Sequence, residues 1–85
     1  MYFVYVLRNL TSGRRYTGHT ADVTQRVSQH NRGITKSTKN RGQWELLYQE
    51  EYVSRSEAMK REKFFKSGIG REELKRILNA RSSVA

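Results

Sequence analysis

Cysteine is absent from the chain, which excludes a disulfide framework and any thiolate-bound metal and is compatible with a reducing compartment. No apolar run approaches the roughly 20 residues that cross a bilayer. The opening Met1-Tyr2-Phe3-Val4 lacks the basic lead of a secretory signal, so a soluble, cytoplasmic protein with no membrane contact is expected. There are no internal repeats, no low-complexity tracts and no glycine-rich motif to cradle phosphates. His19 and His30 are not spaced as metal ligands with a third partner, which leaves no zinc site. Acidic residues are scarce: 8 Asp and Glu stand against 17 Lys and Arg, a formal charge of +9. Such a field attracts polyanions, and a pI near 10.4 is the electrostatic footprint expected of a nucleic-acid binder. The basic residues run through every segment and interleave with Tyr and Trp, which favours a nucleic-acid partner over incidental charge. With 85 residues, the chain is one domain near the lower limit for a core without a staple. We expect that domain over residues 1–79, with 80–85 as a frayed tail.

What is present is organised around the first third. Tyr2-Phe3-Val4-Tyr5-Val6-Leu7 is aromatic and β-branched on both alternating faces, which predicts a central strand covered on both sides. Asn9 to Gly13 is the turn. Arg14-Arg15-Tyr16-Thr17 returns as a second strand, and Gly18 is expected to end it. A register pairing Tyr5 with Tyr16 puts both hydroxyls on one face, whereas a slip of one residue separates them. Thr20 is the expected N-cap of a helix from Ala21 to Asn31, with Asp22 in its first turn. Val23, Val27 and His30 form its inward stripe, Arg26 lies at the edge of that stripe, and Gly33 is the stop.

Ile34 to Gly42 is a polar, basic loop with no hydrophobic period, and its Lys36, Thr38, Lys39 and Arg41 favour phosphate contact. Trp44 to Tyr48 is a third strand, and Gln49 to Val53 leads away from it. Ser54-Arg55-Ser56-Glu57 is a capping-box pattern that starts a helix near Arg55. Along that helix Ala58, Glu62 and Phe65 share one stripe, which puts a carboxylate among inward-facing positions. A lone buried carboxylate costs several kcal/mol unless something compensates it, so Glu62 is the metal-ligand candidate. Residues 66–70 are expected to break the helix, and Arg71 to Leu78 forms the last one, packing through Leu74, Ile77 and Leu78.

Two short aromatic strand segments containing Tyr5 and Tyr16, a helical Arg26, His30 four residues later and a helical Glu62 occur in an order that resembles the GIY-YIG nuclease domain, in particular its small stand-alone members. The likeness spans almost the whole chain. Phe3 replaces the first glycine of the family pattern and Thr17 replaces the isoleucine of its second motif. The resemblance implies an α/β (α+β) domain, a three-stranded antiparallel sheet with flanking helices, and metal-dependent endonuclease activity on DNA. It places a single divalent ion on Glu62, phosphate contact on Arg26, proton transfer on Tyr5 or Tyr16, and a relay or phosphate role on His30. One carboxylate completed by water and substrate oxygens suits Mg²⁺ or Mn²⁺.

A tyrosine with a pKa near 10 is a poor base, so its role requires a lowered pKa, which Arg26 and the metal could provide. Arg14 and Arg15 join the basic loop as candidate nucleic-acid contacts. DNA and RNA both remain open as substrates, and a partner protein or nucleic-acid shape would have to supply selectivity. Each residue also has a plainer reading: the tyrosines as core aromatics, Arg26 as an ion-pair partner of Glu62, and His30 as a partner of the helix dipole. Glu57 is accounted for by capping, and Trp44 by the core. The rival for the whole chain is a non-catalytic nucleic-acid-binding module of the same fold.

Overall fold

Strand-forming residues at the N-terminus, capped helices after them and a charged face on β3 produce six elements in the computed structural model, which describes residues 1–33 and 42–82. They are β1 (Tyr2–Asn9), β2 (Arg15–Thr20), α1 (Val23–Asn31), β3 (Trp44–Tyr52), α2 (Arg55–Lys66) and α3 (Gly68–Ser82). The sheet is antiparallel in the order β2-β1-β3. β1 is therefore central, as its two-sided apolar pattern requires, and Val4, Tyr5, Val6 and Leu7 are all buried. Among the described residues, no helix is long and apolar enough to cross a membrane.

The faces of the sheet carry separate cores. Val4 and Val6 pack with Ala58, Phe65 and Leu74 of α2 and α3. Tyr5 and Leu7 pack on the other face with Trp44, Tyr16 and the α1 residues Val23 and Val27. A register shift between Val6 and Leu7 pairs Val6 with Tyr48 but Leu7 with Leu46. The extra residue, Leu47, sends Trp44 and Tyr48 to opposite faces although an even number of positions separates them.

Several boundaries differ from those the sequence predicts. α1 starts at Val23, and Asp22, not Thr20, is its N-cap: the Asp22 side chain accepts the Gln25 N–H at 3.0 Å. Thr20 instead accepts the Asp22 N–H at 3.2 Å, making the turn before the helix. Gly33 does follow the helix, at φ 76°. β3 runs on to Tyr52, because Tyr2, Phe3 and Val4 of β1 pair with Tyr52, Glu51 and Glu50. Glu50 is tolerated on the α2-facing side because Tyr48, Tyr52 and Arg61 all donate hydrogen bonds to its carboxylate.

Ser54 caps α2 by accepting the Glu57 N–H at 3.2 Å. The predicted break at residues 66–70 shrinks to Ser67 alone, and α3 continues beyond residue 79 to Ser82. Gly68 and Gly70 are helical. A Cβ on Gly70 would stand 1.6 Å from the Phe64 carbonyl oxygen, so glycine there serves the close approach of α3 to the end of α2. Leu74, Ile77 and Leu78 form the expected packing face.

Candidate active site

β2 is an edge strand, and the candidate residues collect on both of its faces. The register pairs Tyr5 with Gly18 and Leu7 with Tyr16, two residues away from the pairing of Tyr5 with Tyr16. An even displacement preserves facing, so both tyrosines project to the α1 side as diagonal neighbours, ring centroids 6.3 Å apart. Gly18 lies inside the strand and does not end it. A Cβ there would stand 2.7 Å from the Tyr5 hydroxyl; the missing side chain is the space in which the phenol lies as it reaches toward the sheet edge.

On this face α1 supplies Arg26 and His30. The Arg26 Nε–H points to the Tyr5 oxygen at 3.4 Å, and Nη1 donates to Gln29 Oε1 at 3.1 Å. Tyr5 lies 3.0 Å from His30 Nε2. Since the phenol oxygen accepts from Arg26, the assignment that satisfies each buried group has Tyr5 O–H donating to an unprotonated His30 Nε2. Burial, followed by the charge of Arg26, pushes the His30 pKa down to about 4. His30 is therefore a neutral imidazole at neutral pH and not a cation at the helix dipole. Tyr16 completes the cluster edge-on to His30, with centroids 4.8 Å apart.

Tyr5 does not show the lowered pKa that a tyrosine base requires. Burial pushes it up to about 12, and the hydrogen bond from Arg26 opposes this without prevailing. The same bond holds the Arg26 guanidinium even more firmly protonated. Tyr5 is thus a neutral phenol linking Arg26 to His30.

Glu62 stands on the opposite face, where it meets neither Arg26 nor Tyr5 in a hydrogen bond. His19, paired with Val4, donates Nδ1–H to Glu62 Oε1 at 2.6 Å, and the Lys66 ammonium donates to Oε2 at 2.8 Å. Burial works to raise the Glu62 pKa, but the bonds from Lys66 and His19 outweigh it and keep the carboxylate ionised below its usual range. The side chain is 19% exposed, less enclosed than a stripe between Ala58 and Phe65 suggests. The two clusters still sense each other. The Glu62 charge contributes to the rise of the Tyr5 pKa, and His19 and Arg26 both line one cavity of about 530 Å³, with Arg55 at its wall.

His19 is the site residue that sequence reasoning passed over. Its signal was present: had β2 been carried through Gly18, alternation would have turned His19 to the face that receives α2. Glu57 remains exposed at the α2 cap, and Trp44 is core, 6% exposed. Among the described residues no group of three or more His, Asp or Glu is arranged to hold a metal. Arg14 and Arg15 are exposed on the hairpin, whereas Lys36, Thr38, Lys39 and Arg41 lie outside the described residues.

Comparison with known proteins identifies the family and the fold. Residues 1–74 match the sequence model of the GIY-YIG catalytic domain. A UPF0213 protein of Staphylococcus epidermidis is 44% identical over 77 residues, covering 89% of this chain and 93% of the relative. A UPF0213 protein of Staphylococcus aureus is 43% identical over the same shares. The solution NMR structure of a UPF0213 protein from Bacillus halodurans superposes with a TM-score of 0.54 at 34% identity, covering 91% of this chain and 85% of that one. GIY-YIG domains are of nuclease type and typically use divalent metal ions. The tyrosines of β1 and β2, the helical arginine and the sequence match therefore make this chain a member of the GIY-YIG family, alongside the small single-domain UPF0213 proteins.

Proposed function

We propose that the protein is a metal-dependent endonuclease hydrolysing phosphodiester bonds in DNA, selective for structure or weakly for sequence. The observation that carries this reading is the Arg26–Tyr5–His30 chain, whose Arg26 end lines a groove beside β2 while Tyr5 and His30 are buried behind it. With Nε directed at Tyr5 and Nη1 at Gln29, Arg26 is oriented by two side chains. Its remaining N–H donors suit a phosphoryl oxygen, where charge builds during displacement. Tyr5 and His30 fix the height and angle of that guanidinium. Tyr16, half-buried and lining an open cavity beside Lys66, is the phenol we assign to moving the proton of the attacking water.

Glu62 fits a divalent ion chemically. It is an ionised carboxylate, one oxygen is held by His19, and the other faces an ammonium on the half-exposed Lys66 side chain. That ammonium is the cation a metal would replace, with water and phosphate oxygens completing an Mg²⁺ or Mn²⁺ sphere. When bound, the ion would neutralise charge on the phosphoryl group and acidify a bound water. The engagement of both Glu62 oxygens is also the observation that favours the second reading, a nucleic-acid-binding module without catalysis.

The test is cleavage of labelled single-stranded, duplex and branched DNA with Mg²⁺ or Mn²⁺ by wild type, Glu62→Gln and Arg26→Ala purified in parallel. We expect each substitution to lower the rate by about 10²-fold or more, the scale seen when one charge-stabilising group is removed. Equal cutting by all three would mean contamination or a misassigned site. Binding without cutting by any would select the non-catalytic module.

A further inference from the structure

We propose that the groove between the edge strand β2 and the α2–α3 junction is a second phosphate subsite, holding the nucleic-acid backbone beside the phosphodiester that Arg26 engages. It deepens the nuclease reading and takes its substrate from it. The groove is a cavity of about 420 Å³ whose lining includes Arg15 and Tyr16 from β2, Phe65 and Lys66 from α2, and Arg71 from α3. Among the described residues, no carboxylate belongs to that lining. The ion pairs of the described residues join Glu45 to Arg8, Glu50 to Arg61, Glu73 to Arg76, and Glu62 to His19 and Lys66; neither Arg15 nor Arg71 is in one. Two guanidiniums outside those ion pairs, one from β2 and one from α3, share this wall with the Lys66 ammonium, whose charge Glu62 already offsets. The wall therefore keeps an excess of positive charge that attracts an anion.

The groove also shares walls with the candidate active site. Tyr16 contacts His30, and Lys66 bonds Glu62. On the far side of the site, Arg26 and Arg55 line the 530 Å³ cavity. Cations thus flank the site at both ends along the β2 edge, the arrangement that a strand of regularly spaced phosphates fits and that a single small anion would not need. The amino end of α3 does not recommend the groove, because Ser67 already caps it, accepting the Gly70 N–H at 3.1 Å.

The test is binding of a labelled oligothymidylate of roughly ten nucleotides, followed by fluorescence anisotropy in EDTA over a series of salt concentrations. Each phosphate contact on a single strand contributes about 0.7 to the slope of log K against log salt. The double variant Arg15→Ala/Arg71→Ala should therefore reduce the slope by about 1.4, whereas Arg15→Lys/Arg71→Lys should preserve it. Lys60→Ala/Lys63→Ala removes the same charge from the exposed wall of α2 and should leave the slope nearly unchanged. Equal loss in the two alanine pairs, or loss in neither, overturns the subsite. Cleavage separates the two proposals. If wild type cuts, the Arg15/Arg71 alanine pair should raise KM with kcat retained, and unchanged KM overturns the subsite while the nuclease stands. A selective slope loss with no cutting by any protein upholds the subsite and removes the nuclease.

Discussion

At the scale of single residues, the site depends on one missing side chain and one buried ring. Gly18 leaves the space that the Tyr5 phenol occupies, so Gly18→Ala should push Tyr5 away from Arg26 and His30. We expect that variant to remain folded with a loss of roughly 1–3 kcal/mol, the usual cost of overpacking, and to lose DNA cleavage out of proportion to its stability. Denaturant melts and cleavage rates on the same preparation check this. His30 has a folded pKa near 4 against an ordinary value of 6.5. The unfolded chain therefore binds more protons between those limits, and the contribution of this group to stability is full above about 6.5 and falls as pH drops toward 4. The loss approaches roughly 3 kcal/mol at its largest, at about 1.4 kcal/mol per unit. Melting temperatures from pH 7 to pH 4 should fall more steeply for wild type than for His30→Gln. Parallel curves would refute the assignment of a buried neutral imidazole.

At the scale of elements, the edge strand and the α2–α3 junction decide where the candidate site and the proposed groove lie. β2 exposes one edge, so groups from α1 and α2 can approach it from opposite faces, which a central strand would keep apart. The local chemistry of helix starts is strong: Ser54 and Asp22 each satisfy an N–H three residues on. The helix break is governed differently. Gly68 and Gly70 look like breakers in sequence, yet only Ser67 interrupts the helices, and Gly70 is needed because its Cα lies against the Phe64 carbonyl. Gly70→Ala should therefore destabilise the domain by about 1–3 kcal/mol or more, even though alanine favours an isolated helix by about 1 kcal/mol. Gly68→Ala, with open space around its added Cβ, should be neutral or stabilising. Chemical denaturation of the two variants distinguishes a junction requirement from simple helix propensity.

At the scale of the whole molecule, a charge of +9 on 85 residues sets the interaction with polyanions before any specific contact forms. DNA binding should weaken linearly in log K against log salt, and EDTA should abolish cleavage while leaving that binding intact, because phosphate attraction needs no resident ion. Anisotropy and cleavage measured on one sample check both outcomes. Retention of full affinity at high salt would indicate a protein-recognition surface instead. The +9 is also spread unevenly in its effect: glutamates neutralise Arg8, Arg61 and Arg76, while the cations along the β2 edge have less acidic company.

The sequence by itself determined the central strand, the Ser54 cap, the inward stripe of α1 and the basic balance, since each is a local pattern of residue type and spacing. The cap of α1, by contrast, fell on Asp22 and not on Thr20. The order of tyrosines, arginine and glutamate was likewise legible as a family likeness. Register, partners and ionisation were decided only in three dimensions. A two-residue displacement set Tyr5 opposite Gly18, the extra residue Leu47 reassigned the faces of β3, and Glu62 found His19 and Lys66 instead of Arg26. A tyrosine in proton transfer requires a lowered pKa, which a neighbouring Arg26 could supply, yet Tyr5 is pushed up to about 12. Burial is the sum of everything packed around a group, and no single neighbour in the sequence specifies it.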